Sequence, residues 1–282
     1  MGSYLILTLS IILWGSSVVA TRIAGFSISP VMLAFFRIAI AAAAMAVIRL
    51  FSNNRERPRG KDMKLIILSG VIGITFYYII ENIGIMMTAA STASMISGSY
   101  PAITLTLGFL LSHEKITGRR VAGILVSMAG IALLSVSSGE SSKLAGIGLL
   151  LLDGVFWALY NYMVQAVSPA CSAFTISYYQ TLAAAVCFIP FLFFERGTPL
   201  VLDQTSVMCI LYLGLCCSTL AYILYNAGLR GVSAFAAATL LNLMPLSGTV
   251  LSALILHEEI SLRAALGGVL IILGVILSNR SR

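Results

Sequence analysis

Two dipeptides in this chain have the makings of chemistry. They are His113-Glu114, within YPAITLTLGFLLSHEKIT, and His257-Glu258, within PLSGTVLSALILHEEI. His-Glu can open a zinc-hydrolase motif, but H-E-x-x-H needs a second histidine one helical turn on, and the chain reads HEKIT and HEEIS. No metal site is expected from them. What the two stretches share is their phrasing. Pro101, His113, Glu114 and Ile116 match Pro245, His257, Glu258 and Ile260 at a constant offset of 144. Each proline falls near the middle of an apolar run, where it would kink a helix and free a carbonyl, that of Ser97 or Leu241. Each glutamate falls at a helix end, placed to accept from helix-start amides or to pair with Arg119 or Arg263. Pro101, Pro245, Glu114 and Glu258 are therefore the candidates for kinking and gating.

A second set of reactive types lies inside apolar stretches. Arg37 sits about seven residues into one, and a charge at such depth costs about 2.5–3.5 kcal/mol on insertion scales. Its candidate partners are Glu81 and Asp153, the acidic residues within apolar runs. A structural ion pair and the binding of a substrate anion or carboxylate both fit Arg37. Either carboxyl is a candidate proton carrier, which makes proton coupling an expectation; carboxyls wetted at the outer helix ends are the alternative. Around them recur aromatic and amide residues: Trp14, Tyr77, Tyr78, Tyr100, Trp157, Tyr160, Asn161, Tyr222, Tyr225 and Asn242. Aromatic faces stack on flat ligands or hold an ammonium, and asparagine both donates and accepts. The matched asparagines Asn82 and Asn226 read as a structural hydrogen-bonding pair. The five cysteines match no zinc spacing and read as small buried hydrophobes.

The elements that must position these residues follow from composition. The 282 residues are 59% hydrophobic and 10% charged, with mean hydropathy +1.01. A soluble domain carries about 25% charged residues, so the solvent here is largely lipid. Apolar runs fall at about 3–21, 30–51, 64–86, 90–112, 118–137, 145–166, 172–194, 205–229, 232–256 and 261–279. Each is near the roughly 20 residues that span a bilayer as a helix, and no barrel-like alternation appears. The first run lacks a basic start and reads as a retained helix. Basic residues concentrate on one side: Arg49, Arg55, Arg57, Arg59, Lys61, Lys64, Lys115, Arg119 and Arg120, with Arg230, Arg280 and Arg282. By the positive-inside rule both termini are expected in the cytoplasm. The net charge of +7 thus speaks of orientation, not of nucleic acid.

The match at offset 144 runs on through Gly70/Gly214, Tyr78/Tyr222, Asn82/Asn226, Gly123/Gly267 and Gly130/Gly274; an offset of 143 pairs Trp14 with Trp157 and Arg37 with Gln180. Each repeat holds five runs, and two copies of an odd-numbered unit must lie in opposite orientations, as in many secondary transporters. The expected fold is all-α and integral to the membrane: ten transmembrane helices forming two inverted five-helix repeats, 1–139 and 143–282, around a central cavity.

LWGSSVVATR in the first run, FFRIAIAAAAM in the second, P-x11-HE-x-I at the ends of the fourth and ninth, and G-x6-G in the fifth and tenth carry a resemblance. The chain resembles the drug/metabolite transporter superfamily with two EamA-type domains. The resemblance covers the whole chain and implies a central cavity lined mainly by the first, third, fourth, sixth, eighth and ninth helices, and movement of small metabolites or drugs. The expected function is alternating-access export of amino acids or related compounds across a bacterial cytoplasmic membrane. Drug efflux and carriage of nucleotide sugars or sugar phosphates are the alternatives, although a phosphate carrier would want several deep cations. A membrane-embedded enzyme, the contrasting class, lacks a nucleophile–base set at one depth, and no cofactor is expected; a lipid-handling scaffold would need no inverted repeat. Small residues on the fifth and tenth runs (Gly118, Gly123 and Gly130; Gly267, Gly268 and Gly274) are expected to pack helices, with a homodimer seam as the alternative.

Overall fold

A computed structural model describes residues 2–52, 56–112, 118–138, 141–195, 200–229, 240–241 and 243–279. Among them every regular element is helical: α1 (Gly2–Ala24), α2 (Pro30–Phe51), α3 (Gly60–Gly70), α4 (Tyr77–Met87), α5 (Ala90–Ser97), α6 (Tyr100–Ser112), α7 (Gly118–Ser138), α8 (Ser141–Gln165), α9 (Ala173–Leu192), α10 (Gln204–Leu211), α11 (Ala221–Leu229), α12 (Leu243–Ile255) and α13 (Leu262–Asn279). Two π-helical segments, Val71–Phe76 and Tyr212–Leu220, join α3 to α4 and α10 to α11.

Helix starts follow local chemistry. Ser29 accepts from the Met32 amide ahead of Pro30, and Ser172 accepts from the Thr175 amide, each satisfying an amide that a helix start leaves open. Asp203 does the same for α10 through Ser206, whose amide and hydroxyl hold its carboxyl below the usual carboxylate range.

Among the described residues, six helices are long and apolar enough to cross a membrane: Gly2–Ala24, Pro30–Phe51, Gly60–Met87, Lys143–Gln165, Ala173–Leu192 and Gln204–Gly228; Val121–Leu133, Leu243–Ile255 and Leu262–Gly274 are shorter apolar stretches. The pattern of burial is that of a protein in lipid. Leu125, Val186, Leu254 and Leu273 are exposed on the outside, whereas Arg37, Glu81, Asp153, Gln180 and many serines and threonines are buried. Burying polar groups while exposing apolar ones is favourable only where the outer solvent is hydrocarbon.

The expected fourth run is not one helix. Gly98 and Ser99 interrupt it between α5 and α6, and the Ser99 amide turns back to the Ile96 carbonyl. Pro101 is then in the first turn of α6 and Pro245 in the first turn of α12, not at mid-helix kinks. A first turn tolerates proline because its amide would have no intrahelical partner there. The residues ahead of Pro245 include 230–239, which lie outside the described residues, as do His113, Glu114 and Asn242.

The tightest pairing is that of α7 with α13. A Cβ on Gly130 would fall 2.6 Å from the Gly267 carbonyl, and one on Gly274 would fall 2.5 Å from the Gly123 carbonyl. The glycine faces of the fifth and tenth runs therefore meet each other within one chain, and the packing gives no support to a homodimer seam there. Elsewhere α1 lies against α11 and α12, α4 against α8, α5 against α12, and α2 against α9 and Tyr212–Leu220. Elements from the two ends of the chain interleave around a common aromatic core, which includes Trp14, Tyr78, Tyr100, Trp157, Tyr160 and Tyr222.

Candidate functional site

That core encloses a cavity of about 30 Å³, lined by Trp14, Ser17, Tyr77, Tyr78, Glu81, Ser97, Tyr100, Pro101, Trp157, Tyr222, Leu241 and Met244. A water requires roughly 10–15 Å³ by this measure, so there is room for one or two waters and none for a metabolite. The lining is paired across the chain. Trp14 and Trp157 are separated by 143 positions, and Tyr78/Tyr222, Ser97/Leu241 and Tyr100/Met244 by 144. The two tryptophans meet edge to face, with ring centroids 5.5 Å apart, and the Tyr78 hydroxyl donates to that of Tyr222 at 3.3 Å.

Beside this aromatic box lie the charges. Arg37 is fully buried on α2; its Nε donates to Ser218 Oγ at 3.0 Å and its guanidinium carbon lies 3.9 Å from the Tyr78 ring centroid. Its Nη1 is 4.0 Å from Glu81 Oε2, an ion pair without hydrogen-bond contact, and neither Nη1 nor Nη2 has a hydrogen-bond partner among the described residues. Glu81 Oε1 accepts from the Tyr77 hydroxyl at 3.0 Å and Asp153 Oδ2 from the Tyr100 hydroxyl at 2.8 Å. Glu81 Oε2 and Asp153 Oδ1 have no hydrogen-bond partner among the described residues. Of the two partners considered for Arg37, Glu81 is the one in ion-pair range, and Asp153 is held by Tyr100.

The π-helical segment Tyr212–Leu220 makes part of this possible. Its wide turn places Ser218 against Arg37 and presents the Cys217 carbonyl to Trp14 Nε1 at 3.1 Å. Single π turns recur at functional sites. Neither Ser218 nor Cys217 was legible as a site residue. Ser17 and Ser97 were also missed, although Ser17 lies three positions from Trp14 and so on its helical face; Ser97 ends α5, beside a break that the sequence reading did not place.

Other candidates sit behind the wall. Tyr160 stacks on Trp157 at 5.3 Å and donates to Gln180 Oε1, which belongs to the residue matched with Arg37. Tyr225 packs on Trp14, and Asn161 donates to the Trp157 carbonyl one turn back. Asn82 and Asn226 do not bond to each other. Asn82 donates to the Pro30 carbonyl and Asn226 to Ser177 Oγ, each tying its helix to a neighbour.

Glu258 lies at one end of the bundle. Its Oε1 and Oε2 accept from the amides of Ala90 and Ser91 at 2.9 and 2.8 Å. It thus caps α5, not α13 as its place in the chain suggested. On the same corner Arg22 donates to the carbonyls of Ile85 and Met86 at the end of α4. His257, which precedes Glu258, adopts a left-handed φ of 53°.

A groove of about 530 Å³ between α6, α7 and α8 is larger than the central cavity, but Ile103, Leu107, Met128 and Leu151 make it an apolar, lipid-type surface. No group of His, Cys, Asp and Glu among the described residues could hold a metal. The cysteines form no disulfide, and burial with nearby Asp62 and Glu56 pushes the Cys171 thiol up, away from reactivity.

A bundle of lipid-facing helices around a buried aromatic and polar cavity is the architecture of a multi-pass membrane protein. The family model of the EamA-like transporter family matches residues 1–136 and 144–280; the chain belongs to that family. Relatives include an "Uncharacterized transporter" of Archaeoglobus fulgidus, 25% identical over 98% of this chain and 97% of its own. A "Probable terminal-alkyne amino-acid exporter" of Streptantibioticus cattleyicolor is 26% identical over 97% of this chain and 92% of its own. An "Uncharacterized transporter YetK" of Bacillus subtilis is 26% identical over 96% of this chain and 86% of its own. A solved crystal structure superposes with a TM-score of 0.69 at 18% identity, over 98% of this chain and 96% of that one, and so shares the fold.

Proposed function

We propose that this transporter exports amino acids or related small metabolites across the bacterial cytoplasmic membrane, by alternating access between two inverted five-helix repeats, 1–139 and 143–282, with both termini in the cytoplasm. The observation that carries the reading is the paired lining of the central cavity. Four pairs of wall residues stand at the repeat offset, as expected where a pseudo-two-fold axis runs through a substrate site. The π-helical segments 71–76 and 212–220, at corresponding places in the two halves, support the same reading. So does the mutual packing of the matched glycines of α7 and α13. The substrate class draws support from the mixed character of the wall and from one relative named as an amino-acid exporter. A phosphate carrier fits less well, because the deep cation, Arg37, lies behind Tyr78 and outside the lining.

Counterflow in proteoliposomes tests this directly. Saturable exchange of at least one amino acid is expected; exchange of nucleotide sugars or lipophilic drugs with none of the amino acids would overturn the substrate class. Proton coupling through Glu81 or Asp153 belongs to the same proposal. E81Q and D153N are each expected to change the pH dependence of transport, and an unchanged profile in both removes the coupling.

A further inference from the structure

The two halves agree in their aromatic residues and part company in their charges. Trp14 matches Trp157 and Tyr78 matches Tyr222, yet Arg37 is matched by Gln180, Glu81 by Tyr225 and Asp153 by Ser10. Each uncharged mate is buried and supports its half without ionising. The scaffold therefore does not require these charges, and burial makes them costly. Their purpose is sought in what the cavity holds.

Their balance is uneven. Arg37, Glu81 and Asp153 are the buried charged residues among those described, which leaves one negative charge in excess when all three are ionised. Glu81 lines the cavity; its Oε2, 4.0 Å from Arg37 Nη1, and Asp153 Oδ1 behind Tyr100 have no hydrogen-bond partner among the described residues. The cavity wall also carries Trp14, Trp157 and Tyr222, whose ring faces favour a cation. Arg37 is not part of the lining; its guanidinium lies against the Tyr78 ring and its Nε donates to Ser218 Oγ.

We propose that the cavity recognises its cargo by a cationic amine, whose ammonium group lies beside Glu81 within the aromatic box, and that Arg37 is a positioning residue that does not meet the cargo's carboxylate. The inference rests on the transport reading and narrows it: the amine is obligatory and the carboxylate is not. Excess buried negative charge is neutralised by the bound ammonium, whose N–H groups supply donors to the carboxylate oxygens now without them.

The chain's two tryptophans both line the cavity, so intrinsic fluorescence reports on this site. Purified full-length protein in nanodiscs is titrated with L-phenylalanine, phenethylamine, N-acetyl-L-phenylalanine and 3-phenylpropionate, and with L-leucine, isoamylamine, N-acetyl-L-leucine and 4-methylpentanoate. In at least one set the amino acid and the bare amine are expected to shift the emission saturably, with the N-acetyl compound and the bare acid about tenfold weaker or silent. E81Q and D153N, checked by gel filtration for a native profile, weaken the amine response. A bare acid or N-acetyl compound that binds as well as the amino acid overturns the inference, and so does an amine response absent from both sets. The transport reading is judged separately by counterflow and survives either result if another metabolite exchanges.

Discussion

Arg37 is the residue on which structure and function are hardest to separate, and its geometry suggests how to separate them. At 4.0 Å from Glu81 it neutralises without hydrogen bonding, while Ser218 and the Tyr78 face fix its position. Removing one member of a buried pair leaves the other uncompensated, at a cost of about 3–5 kcal/mol, whereas replacing both with apolar residues is often neutral. R37M is therefore expected to lower the thermal midpoint in detergent sharply, and R37M/E81M to recover most of it while leaving transport abolished. A double variant no more stable than R37M would show that the guanidinium is held for its other contacts. The charges themselves were legible in the sequence, because an ionisable residue in an apolar run is conspicuous. The choice between Glu81 and Asp153 was not, since it depends on Tyr100 taking Asp153, a contact made across 53 positions.

At the scale of elements, hydropathy located the apolar runs but could not see the break between α5 and α6. A window of about twenty residues averages over Gly98 and Ser99, and the local signal, Gly-Ser followed by Tyr-Pro, reads as a helix start only if a helix is allowed to end first. Once the break exists, α5 has a start of its own whose amides need partners, and Glu258 supplies them from a turn 167 positions away. E258A is expected to cost about 1 kcal/mol, the usual worth of a cap, and to speed hydrogen exchange at Ala90 and Ser91; E258Q, which keeps an acceptor, should cost less. Unchanged exchange at both amides would show that the contact holds nothing. The glycines of α7 and α13 make a complementary case. G130V and G274V force a side chain into a neighbouring backbone and should each destabilise by about 1–3 kcal/mol, whereas Gly118, with nothing within 4 Å of its Cβ position, tolerates alanine. Equal melting of G130V and G118A would refute the close packing.

For the whole molecule the decisive quantity is size. A cavity of about 30 Å³ holds a water or two and no amino acid, so this conformation is closed, and the proposed alternating access would require the halves to part. One contact between them is well placed to resist that parting: Glu258, in the second half, holds the half-helix α5 in the first, beside the corner that Arg22 fastens. Under that proposal, rocking one half against the other at this end would break the Glu258 bonds. The duplication that makes such rocking reasonable was legible from the 144-residue offset alone. The latch was not, because it pairs a turn with a helix start that hydropathy does not reveal. Ser97 lines the cavity and reports on opening. In a background with Cys171, Cys187, Cys209, Cys216 and Cys217 replaced, S97C should react slowly with a charged methanethiosulfonate, a reagent larger than the closed cavity. Adding E258A removes about 1 kcal/mol from the closed state and should raise the open population, and with it the labelling rate, about fivefold. Labelling as fast in S97C alone as in the double variant would mean that this end opens without releasing Glu258, and that the carboxylate serves α5 and nothing beyond it.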